Sequence, residues 1–179
     1  NLGNILNFDN LTKENIYVLD SPILSNSQFL KFNNFFKKKT KYIDCTFKND
    51  ESLESVLERI RKDAEIAVRQ GLTQIILSDK NISDDRLPVP MLLAVGAINT
   101  YLIKLKLRGY VSINVESGEA MDTHSFATLI GVGATTVNPY LAIDGLYQRF
   151  EKKLFGKFEF EDCVNRYIKS VNSGLLKIM

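Results

Sequence analysis

Short apolar runs alternate with stretches of helical spacing from residue 42 onward, and this alternation limits the chain to few folds. Tyr42–Phe47 alternates and carries aromatic residues, as a strand does. Leu53, Val56, Leu57, Ile60, Ala64, Ala67 and Val68 then recur at the spacing of one helix face. Asp50 is the expected cap of that helix, Glu51 and Glu54 suit the positive end of its dipole, and Gly71 supplies a stop. Gln74–Leu77 is the second strand, followed by a polar connection over Asn81–Pro90, with Pro90 opening the next helix. Leu92 to Ile98 is apolar nearly all round, which predicts a deeply buried helix. Lys104, Lys106 and Arg108 suit that helix's negative end, ahead of Gly109. Val111–Val115 is the third strand, a helix runs through Ile130, and Thr135–Asn138 is the fourth strand. Two closing helices bear Leu146, Phe150 and Leu154, then Val164, Tyr167, Ile168 and Val171, with Gly174 breaking the last. Strands and helices alternating in this way predict a parallel sheet with right-handed crossovers, either half a barrel or a small open sheet.

Residues 1–39 read as a lead-in, with a short strand at Ile16-Tyr17-Val18-Leu19 stopped by Asp20-Ser21-Pro22. The chain has 179 residues, enough for one domain with a real core. It opens on Asn1 rather than Met and closes on apolar Leu175–Met179, which reads as a piece of a longer chain. A net charge of +2 is too small to argue for nucleic acid, and the basic run Lys37-Lys38-Lys39 with Lys41 reads as a solvated loop. Cys45 and Cys163 read as buried free thiols in a reducing compartment, which suits the cytoplasm (or a plastid if the source is eukaryotic), and two cysteines make neither a zinc nor an iron–sulfur site. No apolar run is long enough to predict a membrane span.

Polar residues gather where strands are expected to stop, the edge at which parallel α/β folds usually bind ligands: Glu116, Ser117, Glu119, His124 and Asn138. Each has a structural reading. His124 would need Asp122 or Glu119 to orient it as a base, whereas Asp122 or Thr123 as a helix cap places it simply in a first turn. Glu116 and Glu119 could pair as catalytic carboxylates, but a glutamate near a helix start also suits the dipole. Asp79, Asp84, Asp85 and Arg86 read as a hydrated turn rather than a magnesium site. Gly131-Val132-Gly133 follows a helix and precedes a strand, the reverse of a dinucleotide loop, so it reads as helix termination. Asn138-Pro139 reads as a strand-to-helix turn. These residues supply no phosphate loop, no nucleophile with its base and no metal-ligand set, so no catalytic, cofactor-binding or metal residue is assigned.

Together the residues resemble the central domain of the large subunit of glutamate synthase. The resemblance runs through Leu19–Ser25, Ile43–Phe47, Arg59–Val68, Ile76–Asp79 and Pro88–Ala97, and is strongest over Glu116–Ala142. Tyr167–Val171 and Gly174–Met179 resemble the junction into the flavin-binding domain. The chain departs from the family in three places: Ile98-Asn99-Thr100-Tyr101 stands where a run of histidines is common, Ser125 replaces a second histidine beside His124, and Val132 replaces a tyrosine.

The resemblance implies an α/β fold of parallel β/α units, a partial TIM-barrel-like domain related to the flavin barrel. It implies one domain over 1–179 that is the later part of such a central domain, with a lead-in over 1–39, repeated β/α units over 40–158, and a C-terminal helix over 159–179 leading toward an FMN domain. In such a parent, glutamine is hydrolysed at an N-terminal cysteine and ammonia passes through a tunnel. There it combines with 2-oxoglutarate, and reduced FMN delivers the hydride that yields glutamate. The central domain would bind no flavin, separate the two sites and help wall the ammonia path. FMN and an iron–sulfur cluster are implied for the parent, and none for this chain. The implied partners are the amidotransferase and FMN domains of the parent and a small reductase subunit. Exposed strand edges of a cut barrel would favour a homo-oligomer. The isolated chain is expected to be inactive. The competing readings are a stand-alone module that binds a small anion at the strand ends and an FMN-barrel relative, against which a full barrel's length of about 250 residues argues.

Overall fold

A computed structural model describes residues 17–178. In chain order its elements are α1 (Asn26–Phe36), β1 (Thr40–Asp44), β2 (Thr46–Lys48), α2 (Leu53–Arg69), β3 (Gln74–Ser78), β4 (Arg86–Pro88) and α3 (Met91–Lys104). They continue with β5 (Ser112–Glu116), α4 (Thr123–Gly131), β6 (Thr136–Asn138), α5 (Tyr140–Glu151) and α6 (Phe160–Ile178).

The fold is α/β. Four parallel strands lie in the order β1-β3-β5-β6, so consecutive β/α units are neighbours and the order never reverses. That order is the one found along a barrel wall, but among the described residues the sheet is open. At the β6 edge, Ile23 adds one parallel bridge to Val137. Strand alternation sends Ile75, Leu77, Ile113, Val115 and Val137 to one face, where they pack with Val56, Ile60, Ile98, Phe126, Val171 and others of the helical layer. Ile76 points the other way, into a smaller cluster with Leu24, Phe29 and Phe32 of α1 and its lead-in. Gln74, Asn114 and Thr136 share that second face. Asn114 donates to Gln74 Oε1 at 3.0 Å and accepts from the Thr136 hydroxyl at 2.9 Å, so these buried polar groups satisfy one another.

Several expectations need correction. Tyr17–Leu19 forms no strand, and Ile16 lies outside the described residues. The lead-in instead pairs later: the Pro22 carbonyl accepts from Val137 N at 2.8 Å and Leu24 N donates to Val137 O at 2.9 Å. Tyr42–Phe47 is two strands, because the Asp44 side chain accepts from Thr46 N at 2.9 Å and turns the chain at Cys45. β2 then leaves the sheet and pairs antiparallel with β4, a strand inside the stretch read as a plain polar connection. Ser52, not Asp50, caps α2, accepting from Ser55 N at 3.2 Å. Val56, Ile60, Ala64, Ala67 and Val68 are buried as the periodicity predicts, but Leu53 is exposed.

α3 is buried on one side only, since Leu92 and Leu93 are 44% and 41% exposed. It ends at Lys104, and Lys106 takes the left-handed conformation at φ 59°. Leu154 lies beyond α5 and is exposed. Gly174 does not break α6, which continues to Ile178.

Candidate functional site

The C-terminal ends of β1, β3 and β5 bring Asp44, Ser78-Asp79 and Glu116-Ser117 to one edge of the sheet, as strand register requires. Asp79 is buried at its centre. It accepts from the Ser117 hydroxyl at 2.9 Å, and both its oxygens lie 3.0 Å from Gly118 N. Tyr140, at the start of α5, closes over this pair: a Cβ on Gly118 would sit 3.0 Å from the Tyr140 hydroxyl oxygen. Burial, then the nearby Asp79 and Glu116 carboxylates, raise the Tyr140 hydroxyl well above the ordinary tyrosine range.

Glu116 accepts from the Ser78 hydroxyl at 2.7 Å and pairs with Lys80 Nζ at 2.8 Å. The Lys80 ammonium also lies 5.0 Å from the centre of the Tyr140 ring, a cation–π distance. Glu119 reaches elsewhere and accepts from Met91 N at 3.0 Å, capping the start of α3 from outside the helix. The two glutamates therefore serve different partners. Asp44 accepts from Thr46, from Asn81 at 3.1 Å and from Arg86 at 3.0 Å. Burial alone would raise its carboxyl, but the Thr46 and Asn81 hydrogen bonds and the Arg86 charge outweigh it and lower it.

The remaining candidates fall into structural roles. Asp122 caps α4, accepting from Ser125 N at 2.8 Å and from its hydroxyl at 2.7 Å, and His124 is exposed in the following turn. Asn138 donates to Leu24 O at 3.0 Å and to Asn26 Oδ1 at 2.9 Å, tying the lead-in to the strand end. Asp84 is exposed in the turn before β4, and Asp85 accepts from the Ser83 hydroxyl at 2.7 Å. Gly131 ends α4, and Gly133, at φ +122°, packs against Asn99 at the opposite, N-terminal rim of the sheet. Arg108, read as one of the cations at a helix end, turns inward there: it donates to Asn99 Oδ1 at 2.7 Å and to Gly133 O at 2.9 Å. Cys45 and Cys163 are free and buried. Lys37, Lys38, Lys39 and Lys41 are exposed.

Sequence reasoning missed Ser78, Lys80 and Tyr140. Tyr140 directly follows Asn138-Pro139, a turn signal that placed it at this edge, but nothing near Lys80 announces its contact with Glu116. Among the described residues, no three His, Cys, Asp or Glu side chains gather as a metal site. No helix of the described residues is long and apolar enough to cross a membrane.

The strand-end edge thus carries a dense polar network whose groups face one another. Residues 1–179 match the sequence profile of the glutamate synthase central domain over their whole length. The chain belongs to the glutamate synthase central domain family. It is 43% identical over 182 residues to the glutamate synthase [NADPH] large chain of Azospirillum brasilense, covering 100% of this chain and 12% of that protein. It is 41% identical over 165 residues to the glutamate synthase [NADPH] large chain of Bacillus subtilis (strain 168), covering 90% of this chain and 10% of that protein. The chloroplastic ferredoxin-dependent glutamate synthase of Oryza sativa subsp. japonica is 35% identical over 196 residues, with 100% of this chain and 12% of that protein covered. The chain therefore spans roughly a tenth of the length of these relatives, which differ in the electron donor in their names. The glutamate synthase central domain is the segment they have in common with it.

Proposed function

We propose that this chain is a non-catalytic part of a glutamate synthase that makes glutamate from glutamine and 2-oxoglutarate. In this reading it holds the amidotransferase and FMN-binding domains apart and walls part of the ammonia path between them. The observation that supports it is the closure of the strand-end edge. Asp79 is spent on Ser117 and Gly118, Glu116 on Ser78 and Lys80, Asp44 on Arg86, and Glu119 on the start of α3. A substrate-binding edge aims polar groups into open space, whereas a wall needs them satisfied internally, so that its shape holds and bulk water stays out.

The parent's cofactors would sit in its other domains. An iron–sulfur cluster needs several thiolates, and this chain has two cysteines, both buried, which do not fit one. At the strand ends the carboxylates of Asp44, Asp79, Glu116 and Glu119 outnumber the paired cations Lys80 and Arg86, so a flavin phosphate would meet net negative charge and the residues present do not fit FMN there. A small anion at the same edge meets the same repulsion. The cytoplasm or a plastid, a reductase subunit and a homo-oligomer belong to the same reading of the parent.

The test is a coupling ratio in the full-length protein. Asp79→Ala should loosen the Ser117–Asp122 loop. Glutamine hydrolysis and glutamate formation from added ammonium should keep near-normal rates, while glutamate formed per glutamine hydrolysed falls. Equal loss of ammonium-dependent and glutamine-dependent synthesis would instead place the strand-end edge in the chemistry and end this proposal.

A further inference from the structure

The opposite rim of the sheet has the reverse electrical character. The turns leading into β1, β3 and β5 are residues 36–40, 69–73 and 104–111, and none contains Asp or Glu. They meet through the backbone: Thr73 N donates to Lys39 O at 3.0 Å and Ser112 N to Thr73 O at 2.9 Å. Lys37, Lys38, Lys39, Lys104 and Lys106 are all exposed there, and none has a carboxylate partner among the described residues. Helix dipoles favour a cation at each of these helix ends, but they do not call for the groove that lies between them.

That groove, of about 700 Å³, runs between the turn after α2 and the turn after α3. It falls within the range of about 300–1,000 Å³ usual for small-molecule sites. One wall is apolar, from Leu72 and Leu107, and Tyr110 lines it with a ring that is 70% exposed. Arg69 and Thr73 line it as well, the Arg69 Nε paired with Glu65 Oε1 at 2.7 Å and its two terminal nitrogens without a partner among the described residues. The buried Thr73 hydroxyl has no hydrogen-bond partner among the described residues. From this we infer that the N-terminal rim is a binding site for a flat-ringed phosphate ester, the chemical class of a nucleotide. Its ring stacks on Tyr110 against Leu72 and Leu107. Its phosphates face the terminal nitrogens of Arg69 within the positive field of the surrounding lysines. This site is separate from the strand-end edge and does not rest on its proposed role.

The probes are ADP and inorganic pyrophosphate, titrated calorimetrically into the full-length protein and its variants. ADP should bind saturably and more tightly than pyrophosphate, and both should weaken as salt rises. Tyr110→Ala should weaken ADP about tenfold, the scale of one lost aromatic stack, and leave pyrophosphate unchanged. Arg69→Gln should weaken both. The Tyr110 and Arg69 side chains are exposed, so an unchanged thermal midpoint is the folding control. Three results would each overturn the inference: no saturable ADP binding, equal affinity for ADP and pyrophosphate, or ADP binding that survives the combined Arg69→Gln and Tyr110→Ala change.

Discussion

Gly174 of α6 lies against Thr123 of α4 so closely that a Cβ would stand 2.6 Å from both the Thr123 Oγ1 and Cγ2 atoms. The contact seats α6 on the start of α4, next to the Tyr167 hydroxyl, which donates to Met121 O at 2.9 Å. Both contacts hold the end of the strand-end loop.

Gly174→Ala should therefore lower stability by about 1–3 kcal/mol, the cost of overpacking, despite alanine's better helix propensity. Thr123→Ala in the same chain should relieve the clash and leave a double variant more stable than the sum of the two single changes. Chemical denaturation of all four proteins measures this coupling, and additive effects would show that the contact is looser than the structure has it.

Gly133 is under two constraints at once. Its φ is +122°, a conformation side chains rarely adopt, and a Cβ would fall 2.5 Å from Asn99 Cγ. Gly133→Ala should thus destabilise strongly, by about 2–4 kcal/mol. Asn99→Ala should rescue only part of that loss, because it clears the space but not the backbone strain. It also removes one of the acceptors for Arg108. Full rescue, seen as a recovered denaturation midpoint, would show that crowding alone fixes this glycine.

The parallel core was legible because period carries it. Val56, Ile60, Ala64, Ala67 and Val68 announce one helix face, and Gln74–Leu77 can be little but a buried strand. α1 was legible too, though it went unread. Ser25 and Gln28 stand at capping-box spacing, and the structure shows both reciprocal bonds, before Phe29 and Phe32. The β2–β4 ribbon was not legible. Each strand is three residues long, too short to show a period, and the ribbon is held by pairing across the chain and by Arg86 on Asp44 and Thr46. The site divides along the same line. Caps such as Asp122 follow from local spacing, whereas the Asp79–Ser117 and Lys80–Glu116 contacts join different β/α units and leave no local trace.

Asp44 links acid stability to this edge. Its carboxyl is lowered in the folded chain, so its contribution is present above the unfolded value of about 3.9 and is lost as pH falls through the lower folded value. Asp44→Asn should reduce stability at neutral pH and flatten the acid limb of the stability curve below about pH 4. Arg86→Gln should do the same more weakly, because the hydrogen bonds from Thr46 and Asn81 remain. Parallel acid limbs for the wild type and Asp44→Asn would remove Asp44 from the account.

Cys45 makes the alkaline counterpart. It is fully buried between β1 and β2, and burial, reinforced by the Asp44 charge, pushes its thiol up to about 12. In the unfolded chain the thiol ionises near its usual value of about 8.5. Between these values the unfolded state has released the proton while the folded state keeps it. The stability this gives is full below about pH 8.5 and is lost as pH rises through the folded value. The thiolate is the reactive form, so a thiol reagent at pH 8 should label Cys45 only when the chain opens. Its labelling rate should then track denaturant as global unfolding does. Cys45→Ala should be less stable at pH 7 through the lost packing, yet show a shallower decline above about pH 8.5. Rapid labelling of Cys45 under native conditions, with no dependence on denaturant, would mean that the β1–β2 turn opens on its own.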